Sequence, residues 1–446
     1  MRLTANLVML MIRALPFCLL CLVLGVLAPV GSSAASDFPV SRYLTGNWNG
    51  LRDDWQQAGV ELFFNATAEP MRNISGGERI GGTWPSNLGL ELHLDLAKLL
   101  GVANTGLLVK VSKRDGNSVS IEDVAPSQGG NLFPVQELYG GQTLKLANVQ
   151  FNSRLFDDQL DLAYGRLVAN DDFLRSPLYC QFLNNAICGS PKAVFFENPF
   201  AFSAYPSAQW GLRARLGAEQ SRWTLQLGLY DADIDLKGGD PTAPARNRHG
   251  TDWSFGDNGV VLAGELQYRH DSATGLDGRY KLGGFWMNGD YQDLSSTDPA
   301  ATVRGNAMLW LTADQTLWRP TAASESASER GISGFATWIL SLEDKVNLMS
   351  QQFSLGLVWQ GPFASRAQDA LGLAVSRGWV SAEQNKARRA QGLATQHTET
   401  ALELNYRIAL GRGLALTPDI QYILDPGATG DIDNAWLVGA KISLDF

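Results

Sequence analysis

Charged side chains recur in this sequence two or four residues apart: Lys110 and Arg114, Arg213 and Arg215, Glu265 and Arg269, Glu403 and Arg407. Residues two apart on an extended chain share a side, so each pair offers its charges to one face. Such groups make short, strong hydrogen bonds to solutes and need no covalent step. Covalent chemistry finds little support. His93, His249, His270 and His397 are the available histidine bases. None belongs to a nucleophile motif, and G-x-S-x-G is absent. No metal-binding spacing occurs, and no metal or other cofactor is expected.

The elements that position these charges alternate along the whole chain. In "LGLELHLDL" Leu88, Leu90, Leu92, Leu94 and Leu96 oppose Gly89, Glu91, His93 and Asp95. "RWTLQLGLY" and "TETALELNYRIAL" repeat the pattern, as does "NAWLVGAKISLDF", which runs to Phe446. A period of two marks strands with one apolar and one polar face. A soluble sandwich would pair the apolar faces in a core. A membrane barrel turns them to lipid and the polar faces to a wet lumen.

Segment count and loop lengths favour the barrel. Strand-length segments centre near residues 66, 93, 109, 148, 163, 212, 226, 265, 284, 311, 335, 356, 375, 404, 419 and 440. Long connections alternate with short ones, as bacterial barrels require. The prediction is an all-β fold: a 16-stranded antiparallel transmembrane β-barrel over 61–446, with long outer loops. Residues 144–152 switch parity, which predicts a bulge. Trp223, Trp359, Tyr422 and Trp436 suit the aromatic girdles at the lipid interfaces. An open sheet edge cannot exist in hydrocarbon, so the last strand must close on the first.

Residues 1–35 read as a secretory signal peptide. Arg2 and Arg13 precede an uncharged apolar run, and "GSSAAS" supplies small residues, with cleavage expected after Ala35. Its removal takes away two arginines and makes the net charge of −9 more acidic, unlike the basic footprint of a nucleic-acid binder. It also leaves Cys180 and Cys188, a close pair that reads as a disulfide in an exported chain, with two reduced thiols as the alternative. In 36–60, a periplasmic or barrel-plugging segment, Leu51, Trp55 and Ala58 keep helical spacing and Gly59 is a stop. Residues 381–392 are a polar, helix-capable outer loop.

Several long stretches resemble one family. "YLTGNWNGLRDDWQQAGVEL", "NDDFLRSPLYCQFLNNAICGSP", "YPSAQWG" and "LTPDIQYILDPG" are similar to landmarks of the carbohydrate-selective porins of the OprB type, over about Tyr43 to Phe446. The resemblance implies an outer-membrane barrel admitting glucose and related sugars, narrowed by inward-folded loops with an arginine-rich constriction. "KRDGNSVS", 113–120, resembles a family stretch, with Val119 where leucine is usual. Arg114 ends the third segment beside the long connection containing Glu137. Arg114, Glu137, Trp210 and Arg213 are therefore the expected substrate contacts, although the parity of Trp210 also suits an outward girdle. Phe446 resembles the terminal aromatic read by the barrel assembly machinery of outer-membrane proteins. Other expected partners are sugars such as glucose and outer-membrane lipid, with a homo-oligomer possible and no nucleic acid. A general porin or one for another small solute, an outer-membrane enzyme and an adhesin are the rival readings.

Overall fold

The computed structural model describes residues 43–188, 191, 193, 202–218, 221–232, 247–256, 258–320 and 330–446. The signal peptide expected at 1–35 lies outside the described residues. Alternating sequence becomes one antiparallel sheet of eighteen strands. The first nine are β1 Val60–Ala68, β2 Met71–Ser75, β3 Gly81–Thr83, β4 Ser86–Asp95, β5 Thr105–Asp115, β6 Leu144–Leu155, β7 Leu160–Leu167, β8 Gln209–Leu216 and β9 Trp223–Asp231. The rest are β10 Val260–His270, β11 Gly278–Gln292, β12 Thr302–Trp318, β13 Gly331–Ser341, β14 Met349–Gln360, β15 Ala370–Val380, β16 Thr398–Gly411, β17 Leu414–Leu424 and β18 Ala435–Asp445.

Two of the eighteen, β2 and β3, form a short hairpin inside the first long connection. The other sixteen make the wall, and each predicted centre lies inside one of them. The wall closes where Asn65 to Ala68 of β1 pair with Asp445 to Ile442 of β18. Phe446 extends this seam by donating its N–H to the Phe64 carbonyl at 2.8 Å. Beyond Pro70, which has no N–H to offer a ladder, β2 resumes the pairing with β18 from Met71 opposite Gly439. The predicted bulge is present: Lys110 pairs with Asn148 but Val111 with Leu146, so Ala147 is the extra residue.

The two faces meet different surroundings. On β9, Leu227 is 47% exposed and its neighbour Gln226 only 6%, so the apolar stripe faces outward as lipid requires. Aromatic pairs rim the wall, Trp223 with Tyr268 at 4.7 Å and Tyr422 with Trp436 at 4.4 Å.

Helix α1, Leu51–Ala58, forms as the spacing predicts and ends at Gly59, whose φ of 95° is left-handed. A Cβ there would also press on Asp95, 3.2 Å from its carbonyl oxygen. Helix α2, Leu96–Leu100, lies in the short β4–β5 connection and is capped by the Asp95 carboxylate. Lys98 of α2 donates to the Gln56 carbonyl, which places α1 at the short-connection end of the barrel. The 381–392 loop carries a helix at Gln384–Ala390.

Candidate permeation site

An open cylinder of sixteen strands would leave a wide aqueous channel. Two long connections fold into this one. The first, 116–143, joins β5 to β6. The second, 168–208, joins β7 to β8 and begins with helix α3, Ala169–Asp172.

The second connection is pinned along the inner wall by polar side chains projecting from the strands. Glu265 of β10 accepts the Leu174 N–H at 2.9 Å. Ser176 donates to Asp314 of β12 at 2.6 Å, and the Tyr179 hydroxyl bonds Thr337 of β13. Glu403 of β16 accepts the N–H groups of Leu183 and Asn184, at 2.7 and 3.0 Å. Each carboxylate satisfies loop N–H or O–H groups that burial has removed from water, and charged acceptors make the stronger bonds. Apolar side chains reinforce the attachment. Phe173, Phe182 and Phe202 are buried, with Phe202 stacked on Phe285 at 5.3 Å and Phe182 edge-on to Phe335 at 5.8 Å. Burying each such ring contributes about 1.5–3 kcal/mol. Under the second loop the β10–β13 wall therefore combines polar anchors with an apolar seat formed by Phe285 and Phe335.

The first connection packs beside the second. Glu399 of β16 accepts from the Leu132 and Phe133 N–H groups, both at 2.8 Å. Gln136 accepts the Val119 N–H and donates to the Glu69 carbonyl. The two loops join where Asn185 N–H donates to Pro134 O at 2.8 Å.

Arg114 and Glu137 fall into one charge cluster. Glu137 lies 2.8 Å from Lys441 of β18, which also sits 3.6 Å from Glu69. Burial pushes the Glu137 carboxyl up, but Lys441 and Arg114 pull harder, and it ends below its ordinary value. Arg114 is only 5% exposed. It donates to the Gly140 carbonyl at 3.2 Å and sits over the Tyr205 ring at 5.5 Å, while its Nε has no partner. The guanidinium is thus covered by the loops rather than bare in the channel.

Arg213 lies elsewhere, held between Asp161 and Asp172, with Nε 3.0 Å from the latter. It ties α3 to the wall. Burial raises the Asp172 carboxyl above its ordinary range despite this arginine. Trp210 stands on the outward face, in step with exposed Leu212. Its indole N–H donates to the Trp253 carbonyl at 2.8 Å, and its ring stacks on Phe255 at 5.2 Å. This placement belongs to the girdle and corrects the expectation of a stacking surface in the lumen. The sulfur atoms of Cys180 and Cys188 lie 2.9 Å apart. The contact with Cys180 and burial both push the Cys188 thiol up.

Lys441, Glu69, Glu399 and Asp172 escaped the sequence reading. The alternation of β18 shows that Lys441 faces inward, but nothing local names the loop it would hold. Charges of both signs meet where α3 approaches the wall: Lys110 of β5 lies 3.5 Å from Glu91 of β4 and 3.3 Å from Asp171 of α3. Among the described residues no cluster of histidine, cysteine and acid is arranged to hold a metal.

A closed sixteen-stranded wall, apolar outside, with charge-lined space narrowed by pinned loops, defines a porin. The chain belongs to the carbohydrate-selective porin, OprB, family, whose pattern matches residues 81–446. It is a carbohydrate-selective porin of the bacterial outer membrane. Porin B of Pseudomonas aeruginosa strain PAO1 is 28% identical to it over 452 residues, covering 94% of this chain and 95% of the relative. The putative porin QuiX of Acinetobacter baylyi is 26% identical over 431 residues, covering 91% and 93%. The high-pH structure of Pseudomonas putida OprB superposes with a TM-score of 0.82 at 25% identity, over 93% of this chain and all of that one.

Proposed function

We propose that this porin passes glucose and related neutral sugars by passive diffusion through a weak binding site, with no catalytic role. The observation that carries the reading is the partly exposed charge cluster where the second loop meets the wall, formed by Lys110 of β5, Glu91 of β4 and Asp171 of α3. Groups of both signs can donate to and accept from sugar hydroxyls, while conduction requires binding weak enough to release. Arg114 and Glu137 serve as positioning residues that brace the first loop, and Arg213 braces the second. Titrating glucose against single-channel current in planar bilayers tests this. A saturable, glucose-dependent block is expected. Current unaffected by glucose would favour a general small-solute porin.

We also propose that a leader ending near Ala35 directs export, and that helix α1 lies in a periplasmic segment. Phe446 marks the chain for the assembly machinery, and its deletion is expected to lower the yield of folded barrel. Outer-membrane lipid surrounds the wall, and copies of the barrel associate with one another.

A further inference from the structure

The bulge at Ala147 has a consequence for the lumen. Before it, Lys145 points inward and donates to Ser207. After it the parity is reversed, so that Asn148, Gln150 and Asn152 face the channel, while Phe151 stacks on Tyr164 of the outer surface at 5.5 Å. Without the extra residue the amides would face lipid and Val149 and Phe151 the water, because a one-residue shift exchanges the faces of a strand.

The three amides bond head to tail. Asn148 donates to Gln150 Oε1 at 3.3 Å, and Gln150 donates to Asn152 Oδ1. A side-chain amide carries two N–H donors and an oxygen with two lone pairs, so this chain leaves capacity unused at every member. Asn148 is 1% exposed and its Oδ1 has no partner. Gln150 and Asn152 are half-buried. Their cross-strand neighbours are small: Gly165 stands opposite Gln150 and Gly106 opposite Asn152. The ladder starts level with Lys110 and descends toward the short-connection end. Members two apart on a strand repeat about every 6.6 Å, a step on the scale of one sugar ring.

We propose that Gln150 and Asn152, with the buried Asn148 orienting Gln150 from behind, form a hydroxyl-binding track for neutral carbohydrate between the loop constriction and the short-connection mouth. The track rests on the sugar-porin reading above and adds a second contact zone below the charge cluster. Neutral amides exchange hydrogen bonds with a polyol as it slides, without the electrostatic pull on small ions that a charged wall exerts.

The test is glucose-dependent current block by wild-type protein, by Gln150→Leu with Asn152→Leu, and by the single Gln150→Asn, each first shown to migrate as a folded, heat-modifiable barrel. Loss of two neutral hydrogen-bonding groups is expected to weaken the block about tenfold, with small-ion conductance nearly unchanged. Gln150→Asn is expected to retain most of it. Should the double variant fail to assemble, Gln150→Met alone is read in the same way, with about a threefold loss expected. Equal block by wild type and leucine variants would overturn the track and leave the sugar-porin reading standing. Absence of block in the wild type would overturn both.

Discussion

Lys441 of the last strand holds Glu137 of the first in-folded loop, with Nζ 2.8 Å from the carboxylate across 304 residues of sequence. Glu69, Arg114 and the Cys188 side chain also face that pair. Removing one partner of a buried pair leaves the other uncompensated, at a cost on the order of 3 kcal/mol. Lys441→Met is expected to loosen the first loop while the wall stays closed, raising protease cleavage within 116–143. Unchanged cleavage would show that Glu399 and Gln136 suffice to hold the loop.

The same pair predicts an acid limb. The folded Glu137 carboxyl lies below its ordinary value of 4.5. Its contribution is therefore fully present above that value and lost as pH falls through the lowered one. Current noise from loop motion is expected to rise in the wild type as the pH falls below the ordinary carboxylate value. Glu137→Gln is expected to be noisy throughout and to lack that step. An identical profile in both proteins would contradict the assignment.

Arg213 clamps α3 through Asp161 and Asp172. Arg213→Ala leaves two carboxylates without their cation, worth about 3 kcal/mol of local anchoring at most, since Asp161 is partly hydrated. Wider, less sugar-selective pores are expected, read as larger single-channel conductance and weaker glucose block. If conductance and block both match the wild type, the clamp does not set the aperture.

Cys180 and Cys188 are close enough to oxidise without large rearrangement of the second loop. In an exported protein the pair is expected to form a disulfide, visible as a linked peptide in unreduced mass spectra. Reduction is expected to leave heat-modifiability of the barrel nearly unchanged, because strand closure supplies its stability. Two free thiols in freshly isolated protein would refute the pairing.

The wall was legible because its signal is local. A period of two names the strands of the wall, though not the short β2–β3 hairpin, and the parity break at 144–152 names the bulge that turns Asn148 inward. Helix α1 was legible from Leu51, Trp55 and Gly59. The path of the loops was not. Leu183 meets Glu403 across 220 residues, and no periodicity in 168–208 announces that contact. Parity placed Arg114 on the lumen face but could not show that Gly140 and Tyr205 would cover it. Phe285, Trp310 and Phe335 are buried aromatic side chains of the wall. Their meaning, an apolar seat for a loop, appears only once the loop is in place.

Sugar selectivity at the constriction is open to direct test. The most direct measurement is the rate at which glucose enters proteoliposomes, relative to an uncharged non-sugar solute of equal size. Pinned loops and a hydrogen-bonding wall predict faster entry of glucose, with the advantage reduced in Arg213→Ala. Equal rates for the two solutes in the wild type would contradict selectivity at this constriction.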